Sequence, residues 1–196
     1  VLYGGSPSEL VAAYERGGAD AISVITEETY FGGSSQMFES IRAQTSLPLL
    51  RKDFIIDEYQ IAESVVLGAD AVLLIASLLD PPRLTLFVEL ARDFGITPVV
   101  EIYDADEVAK VIHAGTSIVG VNARNLQSFS VDIFHAVRVL QSLPEDIVPL
   151  AFSGIKSADD VNRVKNAGAR GVLVGTTLLR AGNPEEALRT LREEPL

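Results

Sequence analysis

The chain has 196 residues, no cysteine and a formal net charge of −11. The missing cysteines exclude disulfides, thiolate metal ligands and a cysteine nucleophile, and they fit a reducing compartment. The acidic charge argues against a nucleic-acid partner or an anionic membrane surface, because both require a basic face. No apolar run approaches the roughly 18 residues of a membrane span, and the first residues form no signal pattern, so we expect a cytoplasmic protein with a small-molecule partner.

Eight strands are predicted, and each is a continuous apolar run rich in Val, Ile and Leu. Such runs are typical of a parallel sheet that helices cover on both faces. The runs form two interleaved series, and within each series they recur about 50 residues apart, which is twice the length of a strand-and-helix unit. In chain order, the predicted strands lie within residues 1–3, 17–25, 47–50, 67–75, 98–100, 114–121, 148–151 and 167–174.

Helix starts are predicted between these strands, where a capping side chain precedes Pro or stands three residues before a carboxylate. The pairs are Ser6-Pro7 with Glu9, Asp80-Pro81, Asp104 with Glu107, Ser157 with Asp160, and Asn183-Pro184 with Glu186. Strands and helices together predict an α/β protein, a (βα)8 TIM barrel that occupies residues 1–196 as a single domain. Because about 250 residues are usual for this fold, we expect additions at its ends and loops to be missing.

Three residues stand out at the ends of predicted strands, namely Lys52, Glu101 and Phe152. Active sites of such barrels lie at the carboxyl ends of the strands, so these side chains should meet in one pocket. An ammonium and a carboxylate in an apolar pocket form an acid/base pair, because each offsets the desolvation of the other. The alternative is a structural ion pair at the rim.

Other residues at the mouth are candidates for binding. Ser153-Gly154 and Gly175-Thr176 follow the last two predicted strands, where this fold commonly binds phosphate; the alternative is that they are ordinary glycine turns. His113 and His135 fall within predicted helices, away from the mouth, so we expect neither catalysis nor metal binding from them. The remaining candidates at the mouth are Tyr3, Ser6, Ile25, Thr26, Phe54, Leu73, Ser77, Tyr103, Asn122 and Arg124.

Several segments together resemble the indole-3-glycerol-phosphate synthase family. They include TEETYFGGS (26–34), LPLLRKDFIIDEYQI (47–61), GADAVLLIASLL (68–79), VEIYD (100–104), GVNARNLQSFSVD (120–132), SGI (153–155) and LVGTTLLR (173–180). The resemblance covers nearly the whole chain, and KDFIID with N-x-RNL is highly specific. It implies a (β/α)8 lyase that closes and decarboxylates a phosphorylated anilino-sugar acid to form an indole ring.

The resemblance also implies roles for individual residues. Lys52 would be a general acid, Glu101 a proton acceptor and Asn122 an amide that positions the substrate. Arg124 would be an electrostatic partner near the mouth. The residues implied around the phosphate are Ser6, Ser153, Gly154, Gly175 and Thr176.

Three positions depart from the family pattern. The first predicted strand reads VLYGGSPS where the family reads A-E-x-K-x-x-S-P-S, which puts Val1 and Tyr3 at the positions of a glutamate and a lysine. Phe152 stands where the family motif A-E-S-G-I has its glutamate. The family's N-terminal helical extension is also expected to be absent. Because lost charged groups remove proton transfer and electrostatic stabilisation, we expect impaired indole synthesis.

The departures favour a different substrate. Two aromatic residues, Tyr3 and Phe152, would stack on an aromatic ring while Glu101 removes a proton from it. This arrangement predicts a Kemp-type elimination of a benzisoxazole, with Lys52, Ser77 or Asn122 donating a hydrogen bond to the phenolate. Phe54, Leu73 and Arg124 would complete the binding site.

Three alternatives stay open on the sequence. The first is indole-3-glycerol-phosphate synthase with impaired activity. The second is a retro-aldolase in which Lys52 forms a Schiff base. The third is a non-catalytic protein that binds a phosphorylated aromatic molecule. In every case we expect a monomer that needs neither a cofactor nor a metal.

Overall fold

Across residues 5–192, which the structure describes, seven strands form one sheet whose spatial order follows the chain. In this computed structural model every pair of neighbouring strands is parallel. Sequential parallel strands joined by helices are the pattern of a TIM barrel, so the predicted fold is confirmed. The strand predicted at residues 1–3 lies outside the described residues. The others are β1 (Ile22–Ile25), β2 (Leu49–Lys52), β3 (Ala71–Ile75), β4 (Thr97–Ile102), β5 (Ile118–Asn122), β6 (Val148–Phe152) and β7 (Gly171–Leu173).

Helices connect the strands, and several of them begin at the predicted capping residues. Ser6 and Glu9 form a reciprocal capping box, and the Asp80 carboxylate accepts a hydrogen bond from the backbone N–H of Arg83 at 2.9 Å. Single-turn 3₁₀ helices cover Ala76–Leu78 and Ala105–Glu107. The α-helices are α1 (Pro7–Arg16), α2 (Ser35–Arg42), α3 (Glu58–Val66), α4 (Pro81–Asp93), α5 (Val108–Ala114), α6 (Ile133–Leu140), α7 (Ala158–Asn166), α8 (Thr176–Arg180) and α9 (Pro184–Arg192).

The strands separate two apolar layers, because successive side chains of a strand point to opposite faces. Val72 and Leu74 of β3 belong to the large core between strands and helices. Leu73 and Ile75 point the other way, into the interior of the barrel, where they cluster with Val99. Full burial of such a side chain contributes about 1.5–3 kcal/mol. The same alternation decides which residues face the mouth of the barrel.

The first and last helices of the described range join through charged side chains. Arg16 donates to the carboxylate of Glu185 at 2.7 Å, and Arg189 donates to the same carboxylate at 2.8 Å. Arg192 pairs with Asp20, just beyond the end of α1. Within the described range, no helix is long and apolar enough to cross a membrane.

Candidate functional site

A lysine and a glutamate form an ion pair inside the mouth of the barrel. Lys52 is the last residue of β2, and its Nζ lies 3.2 Å from Oε2 of Glu101 in β4. The Glu101 side chain is 2% exposed, whereas that of Lys52 is 29% exposed. A buried carboxylate is expensive unless it is paired and hydrogen-bonded. Lys52 therefore stabilises the charge of Glu101 and still reaches solvent itself.

The amide of Asn122 binds the other carboxylate oxygen. Asn122 ends β5, and its Nδ2 donates a hydrogen bond to Oε1 of Glu101 at 2.9 Å. Its Oδ1 accepts a hydrogen bond from the backbone N–H of Arg124 at 3.0 Å. Because the amide oxygen is engaged by an N–H, the NH2 group must point to Glu101. Both oxygens of the buried carboxylate are thus held by cationic or amide donors.

A pocket opens beside this ion pair at the carboxyl ends of the strands. It encloses about 380 Å³ of empty space, which includes open solvent. Its walls are mainly apolar, as is usual for small-molecule sites. Its lining residues are Ile25, Glu27, Phe31, Lys52, Asp53, Phe54, Ile75, Glu101 and Leu126.

Aromatic side chains from two loops form one wall of the pocket. The ring centroids of Phe31 and Phe54 are 6.2 Å apart at an interplanar angle of 52°, and Tyr30 meets Phe54 edge-on at 6.5 Å. Phe31 is 54% exposed. Exposed aromatic groups next to a pocket are typical of a binding surface. Phe54 was predicted from the sequence but Phe31 was not, although two adjacent aromatic residues in the loop after a strand were a usable signal.

Several predicted residues take other places. Leu73 is fully buried in the barrel interior, below the pocket. Ser77 is exposed on the 3₁₀ turn after β3 and is not among the lining residues. Arg124 donates from Nη1 to the backbone carbonyl of Phe129 at 3.2 Å, so its side chain holds its own loop.

Phe152 does not occupy the predicted stacking position. Its ring lies inside the barrel against Gly120 of β5, where an added Cβ would stand 2.2 Å from the ring. Only 3% of Phe152 is exposed, which leaves almost no ring surface for a guest. The missing side chain at Gly120 creates the space that draws the ring inward. The other proposed stacking residue, Tyr3, lies outside the described residues, as does Val1.

The predicted phosphate residues lie on neighbouring loops. Ser153 and Gly154 both adopt positive φ angles after β6, at 64° and 79°. Gly175 and Thr176 lie at the start of α8, and the hydroxyl of Thr177 donates to the carbonyl of Ile155 at 2.6 Å, which ties this helix to the β6 loop.

Ser6 is engaged in the capping box of α1, where its backbone N–H donates to Glu9 at 2.7 Å. This hydrogen bond lowers the pKa of Glu9. The phosphate role of all five residues stays a prediction.

The two histidines lie on helices α5 and α6, as predicted. His135 stacks on Tyr103 with ring centroids 4.4 Å apart, and its Nε2 lies 2.9 Å from the carbonyl oxygen of Tyr103. It therefore fastens the loop that follows β4. Among residues 5–192, no cluster of three or more His, Asp or Glu side chains has an arrangement that could hold a metal ion.

Comparison with known proteins gives one consistent result. The sequence profile of a family described as indole-3-glycerol phosphate synthase matches residues 4–191. The chain is 44% identical over 184 residues to the indole-3-glycerol phosphate synthase of Ruminiclostridium cellulolyticum, which covers 94% of this chain and 71% of that protein. It is 45% identical over 190 residues to the enzyme of the same name from Micrococcus luteus, with 97% and 71% covered.

Solved structures support the fold alone. Thiamine phosphate pyrophosphorylase from Pyrococcus furiosus superposes with a TM-score of 0.74 at 18% identity, over 95% of this chain and 88% of that one. A mandelate oxidase superposes with a TM-score of 0.67 at 18% identity, over 94% and 64%.

These findings correct the main functional prediction. Kemp-type elimination is wrong, because relatives at 44–45% identity over most of the chain are named indole-3-glycerol phosphate synthase. The position of one side chain agrees with this correction. Phe152 is buried inside the barrel, so its ring is not available to stack on an aromatic substrate. The retro-aldolase and binding-protein alternatives find no support among these relatives.

Proposed function

The chain belongs to the indole-3-glycerol phosphate synthase family, and on that premise we propose that it catalyses this family's carboxy-lyase reaction. The substrate is a phosphorylated anilino-sugar acid, and the product carries the closed indole ring. The observation that carries the proposal is the Lys52–Glu101–Asn122 arrangement beside a pocket at the carboxyl ends of the strands. It corresponds to the first of the alternatives left open by the sequence.

The proposal assigns the proton transfers to the ion pair. Closing and aromatising the ring requires an acid that protonates an oxygen and a base that accepts a proton from carbon. Lys52 serves as the acid, since its ammonium group lines the pocket and is partly exposed. Glu101 serves as the base, and Asn122 orients its carboxylate through the 2.9 Å hydrogen bond. Proton transfer of this kind contributes a factor of about 10²–10⁴ in rate.

We assign different parts of the substrate to different regions of the pocket. We assign the aromatic ring to the wall formed by Phe31 and Phe54; Leu126, in the β5–α6 loop, also lines this pocket. The phosphate would lie toward the two loops joined by the Thr177 hydrogen bond. An anion near backbone N–H groups at this end of a TIM barrel fits the general behaviour of the fold. Arg124 contributes positive charge at the rim.

We expect this protein to catalyse the carboxy-lyase reaction more slowly than the named relatives do. Phe152 offers no charge or hydrogen bond at a position where the family motif has glutamate, and each such interaction is commonly worth a factor of about 10². The apolar ring also fills the interior below the pocket. We also predict that the protein is a cytoplasmic monomer that needs no cofactor.

The experiment is a direct assay of the purified protein. The phosphorylated anilino-sugar acid is added, and the appearance of indole fluorescence is followed together with CO2 release. We expect slow turnover that Glu101→Gln abolishes. A matched control is Glu89→Gln, the same change on an exposed face of α4, which should leave the rate unchanged. Absence of indole product from the unmodified protein would refute the proposal.

A further inference from the structure

The loop between β1 and α2 is organised around one carboxylate. Oε1 of Glu27 accepts the backbone N–H of Thr29 at 2.8 Å, and Oε2 accepts the backbone N–H groups of Tyr30 at 2.7 Å and Phe31 at 2.9 Å. Three consecutive backbone N–H groups thus converge on a single side chain. Converging backbone N–H groups form an anion-binding concavity, and here the anion is supplied by the chain itself.

Close backbone contacts constrain the path of this loop. The backbone N–H of Gly33 returns to the carbonyl of Glu27 at 2.7 Å, and an added Cβ on Gly33 would stand 2.3 Å from the carbonyl oxygen of Ile25. The loop therefore folds directly back onto the end of β1. Without the Glu27 carboxylate, three N–H groups lose their acceptor within a turn whose path is already constrained.

The position of Phe31 depends on this arrangement. Its ring lines the pocket and meets Phe54, but more than half of the residue is exposed, so packing alone holds it weakly. Its backbone N–H, in contrast, is fixed by Oε2 of Glu27. The carboxylate consequently determines where one half of the aromatic wall stands. Phe54 receives a similar support, since its backbone N–H donates to Asp53 at 2.8 Å.

We propose that Glu27 is a positioning residue that sets the aromatic wall of the pocket and thereby the affinity for the ring of the substrate. This inference rests on the proposed function. Glu27 lines the pocket, but both of its oxygens are occupied by the loop, so it acts through Phe31 rather than on the reacting atoms. A misplaced wall weakens binding of substrate and transition state alike, which raises KM and leaves kcat nearly unchanged.

The kinetic test compares Glu27→Ala, Glu27→Gln and the control Glu28→Gln. Glu28 is the exposed neighbour in the same loop, and Glu28→Gln removes one negative charge, as the Glu27 variants do. We expect Glu27→Ala to raise KM about tenfold with kcat within about threefold of the unmodified protein. Glu27→Gln, which retains one acceptor oxygen, should give a smaller rise. Glu28→Gln should have no effect, and an equal rise in KM for Glu28→Gln would overturn the proposal.

Chemical rescue separates a positioned carboxylate from a general loss of structure. Acetate should enter the vacated concavity of Glu27→Ala and lower KM again, whereas chloride at equal ionic strength should not. The amide resonances of Thr29, Tyr30 and Phe31 in a ¹H–¹⁵N spectrum should shift in Glu27→Ala and return with acetate. If these amides do not respond in the folded variant, or KM stays unchanged, the inference is wrong.

The kinetic measurements and the amide spectra together distinguish failure of this inference from failure of the proposed function. Lack of turnover by the unmodified protein would refute the lyase activity and the role of the wall in binding that substrate. The amide spectra would still decide whether Glu27 holds the loop.

Discussion

The Nζ of Lys52 and the Oε2 of Glu101 lie 3.2 Å apart although their strands are not neighbours, since β3 runs between β2 and β4. Two long side chains that point into the same interior bridge this distance. Glu101 is the more deeply buried of the pair, and Asn122 occupies its second oxygen. Removal of Lys52 leaves the buried Glu101 carboxylate without its cationic partner. The contribution of the pair can therefore be measured both as a change in stability and as a change in rate.

Lys52→Met should lower kcat by about 10²-fold or more, because it removes the proton donor. It should also lower the free energy of unfolding. Breaking a buried pair costs about 3–5 kcal/mol, and the partial exposure of Lys52 reduces this to about 1–3 kcal/mol. Urea unfolding measures the second effect.

The double variant Lys52→Met/Glu101→Gln provides the control for this prediction. It removes the unpaired charge and should recover much of the lost stability without recovering activity. If the single variant is as stable as the unmodified protein, the ion pair contributes nothing measurable to the fold.

Asn122→Asp should be more harmful than its small change in shape suggests. It keeps an oxygen for the backbone N–H of Arg124 but replaces the NH2 donor with an oxygen that faces Oε1 of Glu101. Loss of this donor and charge repulsion in a buried site should cost about 1–3 kcal/mol and lower kcat/KM by about 10²-fold. Asn166→Asp, an exposed position on α7, is the matched control for thermal unfolding and turnover.

Gly120→Ala should destabilise the barrel through Phe152. The new methyl group would overlap the ring at 2.2 Å, and overpacking of a core commonly costs about 1–3 kcal/mol. Phe152→Leu alone should also be destabilising, because it empties part of the interior. The double variant should be more stable than the sum of the two effects predicts. A double-mutant cycle by urea unfolding tests this coupling, and strict additivity would contradict it.

Glu185 should contribute to acid sensitivity. The hydrogen bond from Arg16 lowers the pKa of this carboxyl from its ordinary value of 4.5. A group whose pKa is lower in the folded state stabilises the fold above its unfolded pKa, and this contribution is lost as pH falls through the folded value. Glu185→Gln should therefore destabilise the protein near neutral pH. The difference from the unmodified protein should shrink below pH 4.5.

Salt offers a second check on the same contact. Because Arg16 and Glu185 are accessible to solvent, about 1 M NaCl should reduce the effect of Glu185→Gln at neutral pH. Glu89→Gln should show neither the pH nor the salt dependence. A constant difference across both series would mean that Glu185 acts by packing rather than by charge.

The fold and part of the site were predictable from sequence because they follow from local rules. Apolar runs marked the strands, and capping residues such as Ser6 and Asp80 marked the helix starts. Lys52, Glu101 and Asn122 could be found because residues at the carboxyl end of a parallel strand lie at the reactive edge of the sheet. These three side chains contact one another because all of them point into the interior of the barrel.

Other parts depended on relations between distant segments. Phe152 also ends a strand, but the space left by Gly120 on the neighbouring strand accepts its ring and removes it from the mouth. Phe31 and Glu27 belong to a loop whose shape is set by hydrogen bonds within the loop. The spacing of apolar residues in the sequence does not predict such bonds. The predicted stacking of Phe152 depended on the depth of its ring, which Gly120 on the neighbouring strand determines.

The contact between α1 and α9 has a consequence for biosynthesis. Arg16 and Glu185 are 169 positions apart, so their bond waits until the ribosome has released nearly the entire described chain. Earlier helices and strands can assemble as they emerge, but the join between the first and last helices forms only at the end. A chain that is stalled or truncated before α9 would therefore lack the partner of α1, and this face of the first helix would stay exposed.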